Sequence, residues 1–320
     1  MTPSTRLGRA GLISVATGAL LALAACAPAA PPPAPEPTTA PSETTAPDTG
    51  SGVLEEFRAL LPQEIIDSGV ITVGSPMSSP PLIYVDNGKP TGMAFDISQE
   101  IAALLGVEAV WEDLAFPGVI PGLQAGNIDI SMGVIGDTPA RQEVLDFVDL
   151  FVNESALMTQ KGNPQNISDL PSACGLTLGT QTGSLQLVRM QAASEQCVAD
   201  GKGPITINEY TSQADGQAAV QSERIVAYYA PFITMNHVAR TAGDGTIFEM
   251  GTGRYPDNPF GIAMQKDRGT FAQAIQGALL ELVKNGRYLE IMTAYGSEDG
   301  AITEDQVLIN GAGTDAFPLD

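Results

Sequence analysis

Apolar and polar positions in the middle of the chain switch repeatedly between a period of two and a period near 3.6, which predicts strands interleaved with helices. Val70-Ile71-Thr72-Val73-Gly74 is a β-branched run closed by glycine, and Asp86-Asn87-Gly88 marks a turn. Beyond Gly92 the period lengthens. Ile97, Ile101, Leu104 and Leu105 recur at helical spacing up to Gly106, with Asp96 as the expected N-cap and Gln99 three residues on as its capping-box partner. Val107 to Glu112 predicts the next strand, Val119 to Gly126 a short helix closed by glycine, and Ile128 to Met132 a further strand. This βαβα succession predicts an α/β fold of parallel strands with helices on both faces.

The ends of the chain follow other patterns. Arg6 and Arg9 precede an apolar run from Gly11 to Leu23 that is about a dozen residues long, too short for a membrane span, so residues 1–25 read as a secretory signal. Leu23-Ala24-Ala25-Cys26 resembles the lipobox of bacterial lipoproteins, which implies lipidation of Cys26 and an extracytoplasmic protein anchored to the cell membrane. A plain secretory signal with an incidental cysteine is the alternative. Residues 26–52 are rich in Ala, Pro, Thr, Ser and Glu, a composition that cannot bury apolar surface and suits a solvated spacer, or else a proline-rich ligand for a recognition module. Val53 to about Gly296 reads as globular, with a length that fits one large domain or two ordinary ones. The tail, 301–320, is polar and glycine-containing and is expected to be loosely held.

Charge narrows the partners. Asp plus Glu number 37 against 15 Lys plus Arg, a formal net charge of -22, which argues against nucleic acid and against a basic patch that grips anionic headgroups. With Cys26 assigned to the anchor, Cys174 and Cys197 remain as an isolated pair in an oxidising compartment. They are expected to form a disulfide closing a loop of about two dozen residues, worth about 3 kcal/mol. A metal site competes poorly, because the sole histidine is His237 and two cysteines rarely hold zinc. No cofactor is expected. No Gly-x-Ser-x-Gly, no histidine beside a serine motif and no metal-ligand spacing is present, so the sequence does not read as an enzyme.

Several motifs in order resemble one family. Gly92-Met93-Ala94-Phe95-Asp96-Ile97, Pro121 to Asp129, Asp137-Thr138-Pro139-Ala140-Arg141, Val144 to Phe147, Leu178 to Ser184, Phe260 to Met264 and Asn285-Gly286-Arg287-Tyr288 are similar to the solute-binding proteins of ABC importers, in particular the amino-acid-binding group called family 3. The resemblance spans roughly residues 55 to 296 and implies a two-lobed periplasmic-binding-protein-like clamp. Each lobe would be a mixed, mostly parallel sheet flanked by helices, with residues 53–152 plus 260–300 in lobe 1, 153–259 in lobe 2 and a two-strand hinge between. It further implies a monomer that closes on a small ligand and docks on a membrane permease. A ligand-sensing lipoprotein uncoupled from transport would use the same clamp, as do a few dehydratase-like enzymes.

The resemblance also implies a site. Thr138 and Pro139 read as N-cap and first helical residue, placing Arg141 in the first turn, where its guanidinium can hold a ligand carboxylate through two parallel hydrogen bonds. Val134 and Gly136 would line the cleft from the preceding loop. Gly183 and Ser184 would face them from lobe 2, and Phe116 would wall the ligand. The sequence departs from the family where an acid would meet the ligand ammonium: Pro231 stands there. Pro76 and Ser79 replace an Asp and an aromatic of the first loop. Asp137 or Asp215 would have to substitute, or else the ligand is a small organic anion or a zwitterion held differently. Trp111 reads as core, His237 as structural or exposed. Of the adjacent Tyr228 and Tyr229, only one is expected to face the cleft.

Overall fold

The computed structural model describes residues 52–318. The signal sequence, Cys26 and the spacer up to residue 51 lie outside the described residues.

Two mixed sheets organise the chain. The first runs in the order Glu108–Asp113, Val70–Ser75, Ile130–Ser131, Phe260–Gln265, Leu145–Phe151; its first three strands are parallel and Phe260–Gln265 is antiparallel to both neighbours. The second is built alike, in the order Thr206–Tyr210, Thr177–Gln181, Ala227–Pro231, Glu154–Gln160, Phe248–Met250, with a parallel trio followed by antiparallel strands. Helices pack on each sheet, so its strands are apolar on both faces: all five residues of Ala227–Pro231 are buried. Tyr229 points into one layer with Leu157 and Met190, and Tyr228 into the opposite layer with Met158 and Met235.

The chain passes between the sheets twice, after Phe151 and after Pro256. The two crossings are tied together: Tyr255 and Pro256 pair antiparallel with Ser155 and Glu154, and the Asp257 amide donates to the Asn153 carbonyl at 3.1 Å. The buried Asp257 carboxylate is held by Arg189 at 2.9 Å and by the Ser155 hydroxyl. A disulfide joins Cys174 to the buried Cys197 on the helix Leu185–Ala199, with Cα atoms 5.6 Å apart. Among the described residues no helix is long and apolar enough to cross a membrane.

Three local expectations are corrected. The helix expected to begin at Asp96 spans Met93–Leu105 and is capped by Gly92 at φ 133°. Its first amides are satisfied from a distant turn, Met93 donating to the Pro81 carbonyl and Ala94 to the Leu82 carbonyl. Gly92 permits this approach, since a Cβ there would lie 2.5 Å from the Leu82 oxygen. Asp96 instead accepts from the Tyr295 hydroxyl at 2.8 Å and Gln99 donates to the Ala109 carbonyl, so no capping box forms. The turn at Asp86 to Gly88 lies where the sequence places it, as the tip of a hairpin, Ile83–Asp86 with Lys89–Thr91, whose two tip residues Asn87 and Gly88 are both left-handed.

The third correction concerns the tail. Residues 301–318 are not loose but form a strap along Leu145–Phe151, the edge strand of the first sheet. Ala301 and Ile309 bridge to Phe151 and Val148, and Ile302, Val307 and Phe317 enter the core. The amides of Gly311 and Ala312 donate to the buried carboxylates of Asp149 and Asp137, at 3.1 and 3.0 Å. Three apolar residues dispersed in a polar segment give no periodic signal, yet each fills a gap beside an edge that would otherwise expose unpaired backbone.

Candidate functional site

The site grows from the loop that follows Ile130–Ser131. Its residues are stitched to the start of Phe260–Gln265: the Asp137 amide donates to the Pro259 carbonyl at 2.8 Å, the Gly261 amide to the Ile135 carbonyl at 3.0 Å, and Gly136 bridges Phe260. At the end of this loop the Thr138 hydroxyl accepts from the Arg141 amide at 3.2 Å, and Pro139 opens the short helix Pro139–Gln142, as the sequence predicts. That local geometry projects the Arg141 side chain toward the second sheet.

The guanidinium spans the gap between the sheets. Its Nη1 donates to the Gly136 carbonyl at 2.8 Å on its own side, and Nη2 donates to the Gly183 carbonyl at 3.1 Å on the other. Its Cζ lies 5.8 Å from the centroid of the Phe116 ring. Five N–H donors are available on an arginine, and these bonds use two. Burial lowers the guanidinium to about 10, opposed by the nearby Asp137 charge, so it stays cationic at neutral pH.

Around Arg141 lies a narrow crevice between the two sheets. Phe116, Val134, Gly136 and Phe260 border it from the first sheet; Thr180, Gln181, Ser184 to Gln186, Gln213 and Tyr228 to Pro231 border it from the second. Arg141 is the sole charged residue among them. Ser184 caps the helix Leu185–Ala199: its Oγ accepts from the Leu187 amide at 3.2 Å and lies 3.3 Å from Thr180 Oγ1. Leu185 stands opposite Gly136 across the crevice, where a Cβ built on that glycine would lie 3.1 Å from Leu185 Cδ1.

Of the residues singled out from the sequence, Arg141, Phe116, Val134, Gly136 and Ser184 therefore come together, with Gly183 touching them through its carbonyl. Two do not join. Asp137 is buried behind the loop, its carboxylate held by Gln142 Nε2 at 2.8 and 2.9 Å and by the Ala312 amide, so it faces the strap. Burial raises its carboxyl above the usual range. Ser79 is buried in the small strand Ser78–Ser79 opposite Ile83 and does not border the crevice. Asp215 is exposed and accepts from Ser212 Oγ, so neither proposed acid reaches the space beside Pro231. Trp111 donates to Ser98 Oγ at 2.9 Å and packs on Phe95, and His237 lies on Phe232–Thr241 away from the crevice.

The tyrosine expectation is corrected too. Both Tyr228 and Tyr229 border the crevice, because it lies at the carboxyl end of their strand, although their rings take opposite faces. Tyr229 packs edge-on against Tyr255, with centroids 5.6 Å apart. Tyr228 sits in a slot cut by two glycines: a Cβ on Gly216 would lie 2.1 Å from its Cε2, and one on Gly179 would lie 3.2 Å from its Cδ2. The phenol is raised well above its ordinary value, first by burial and then by Tyr210 and Asp215, so it remains a neutral hydroxyl. Gln181, Gln186 and Gln213 were not anticipated. Their only signal in the sequence is position, next to the Gly183 loop or at the start of the helix Gln213–Gln221.

Two α/β layers joined by paired crossings around one cation-bearing crevice define the class of clamp-like solute-binding proteins. Residues 71–298 match the model for bacterial extracellular solute-binding proteins, family 3, and the chain belongs to that family. The arginine-binding protein ArgT of Corynebacterium glutamicum is 30% identical over 257 residues, covering 80% of this chain and 83% of that protein. The glutamine-binding protein GlnH of an ABC transporter in Bacillus subtilis is 27% identical over 220 residues, 67% of this chain and 76% of its own length. Among solved structures, an ancestral arginine-binding protein bound to arginine superposes with a TM-score of 0.66 at 26% identity, covering 71% of this chain and 98% of that one. A structure of an ancestral arginine-binding protein bound to glutamine gives 0.64 at 26% identity, with 72% and 99% coverage. Like its family, the chain is an extracellular binding protein and not an enzyme.

Proposed function

We propose that this protein is the receptor of an ABC importer, capturing a small carboxylate-bearing solute, an amino acid or close derivative, and presenting it to a membrane permease. The observation that carries the reading is Arg141, the single charge bordering the interlobe crevice, reaching a carbonyl on each side. A ligand carboxylate there takes two of the remaining N–H donors, and the Phe116 ring shields the pair from water. Closure is favoured because these contacts draw on both lobes at once. The relatives named for arginine and for glutamine support an amino-acid ligand. In this reading Cys26 carries the lipid, residues 27–52 act as a stalk and the clamp works as a monomer.

Native mass spectrometry of the protein, followed by a thermal-shift screen of amino acids and organic acids, tests the proposal. A saturable ligand should raise the melting temperature, and Arg141→Ala should remove at least 100-fold of its affinity, about 3 kcal/mol for breaking a buried charge pair. Ligand shifts in Arg141→Ala equal to those in the parent would reject it.

A further inference from the structure

Two residues that border the crevice carry a buried polar atom with no hydrogen-bond partner among the described residues: Gln213 through Oε1 and Tyr228 through its hydroxyl. Gln213 is 4% exposed and Tyr228 fully buried, and both border the same space as Arg141. A native fold rarely leaves such atoms unpaired unless something else completes them. Their placement is fixed and not incidental. Gly179 lies directly beside Tyr228 in the parallel register, and that glycine and Gly216 leave the tyrosine ring one slot. Tyr210 packs edge-on against it with centroids 6.3 Å apart. Gln213 is the first residue of its helix, held by the Ser212 cap, whose hydroxyl accepts from the Asp215 amide at 3.1 Å.

The charges nearby limit what these atoms can receive. Among the described residues no carboxylate borders the crevice: Asp137 faces the strap, Asp215 faces solvent, and Asp257 is committed to Arg189. Beyond an α-ammonium paired with its own carboxylate, a further positive charge at the other end of the ligand would be buried without a counter-ion, whereas an uncharged N–H or O–H group loses nothing by meeting a neutral acceptor.

We infer that Gln213 and Tyr228 form an uncharged second anchor, so that the site selects a carboxylate solute whose other polar end is a neutral donor, such as a carboxamide, over one that ends in a cation. This rests on the proposed function, since it takes Arg141 as the carboxylate anchor. It also sets this chain apart from relatives named for arginine.

The test is calorimetric titration of the purified protein with two matched pairs, L-glutamine against L-arginine and glutaramate against 4-guanidinobutanoate. The amide member of each pair should bind at least 10-fold tighter. Gln213→Leu and Tyr228→Phe should each weaken the amide ligands at least 10-fold with the ligand-free melting temperature held within a few degrees. Gln213→Glu should swing the arginine-to-glutamine preference at least 10-fold toward arginine, which a merely structural role for Gln213 would not do. Guanidinium ligands binding as tightly as their amide partners, or amide binding unmoved by all three variants, would overturn the inference. If Arg141→Ala still abolishes that binding, the proposed function survives; if Arg141→Ala also has no effect, both fall.

Discussion

Gly136 faces Leu185 of the other lobe beside Arg141, which makes it a probe of closure separate from ligand contact. Its φ is not in the left-handed region, so the backbone accepts a side chain. The obstacle is steric. A Cβ there stands 3.1 Å from Leu185 Cδ1 across the gap and 3.5 Å from Phe260 Cδ1 within its own lobe. Alanine requires Leu185 to yield by a few tenths of an ångström; valine adds two methyl groups with no space to take them. Overpacking of this kind costs about 1–3 kcal/mol. Most of that cost arises only when the lobes are shut, because Leu185 leaves with the second lobe on opening. Gly136→Val should therefore weaken ligand binding by about 5- to 150-fold, at about 1.4 kcal/mol per decade. The ligand-free melting temperature should move little, reflecting only the Phe260 contact. Calorimetric titration measures the affinity and small-angle scattering the closure. Adding Leu185→Ala removes the obstructing methyl, and the double variant should recover binding by a coupling of about 0.5–3 kcal/mol. Affinity within twofold of the parent for Gly136→Val, or no recovery in the double variant, would refute the idea that this pair sets the closed geometry.

Two further outcomes follow from charges and covalent links. Burial, reinforced by the neighbouring Asp137 charge, pushes the Asp149 carboxyl from its ordinary 3.8 up to about 8. The folded state thus holds a proton that the unfolded chain releases, a contribution fully present below about 4 and lost as pH rises toward about 8. The melting temperature should fall across that window, and Asp149→Asn should flatten the fall; an unchanged slope contradicts it. Replacing Cys174 and Cys197 together by alanine opens a loop with a sequence separation of 23. That should cost about 3 kcal/mol in denaturant unfolding while leaving affinity within a fewfold, because the bridge lies outside the crevice.

Much of the fold was legible because it is written locally. The β-branched run at Val70, the helical spacing from Ile97 to Leu105 and the cap at Thr138 depend on neighbours a few residues away, and each appears where its pattern places it. The helix start was misplaced since its first amides are satisfied by Pro81 and Leu82, a long-range arrangement that no capping motif encodes. The site divides the same way. Arg141 is marked by its own Thr-Pro context, whereas Gln213 and Tyr228 gain meaning only when Gly179 and Gly216 are brought alongside by the sheet. Asp137 carried the right chemistry next to the right loop but faces the other way, drawn by an amide 175 residues further on.

That last contact has a practical bearing on how the molecule can be handled. Phe317 is a core residue and Ala312 steadies the loop behind Gly136, so the end of the described chain is continuous with the framework that aims the arginine. A reporter fused there would ride rigidly with the first lobe, and paired with a dye on the helix Leu185–Ala199 it would convert solute capture into an optical distance signal. Trimming the same stretch to simplify expression would instead loosen the recognition loop from the rear.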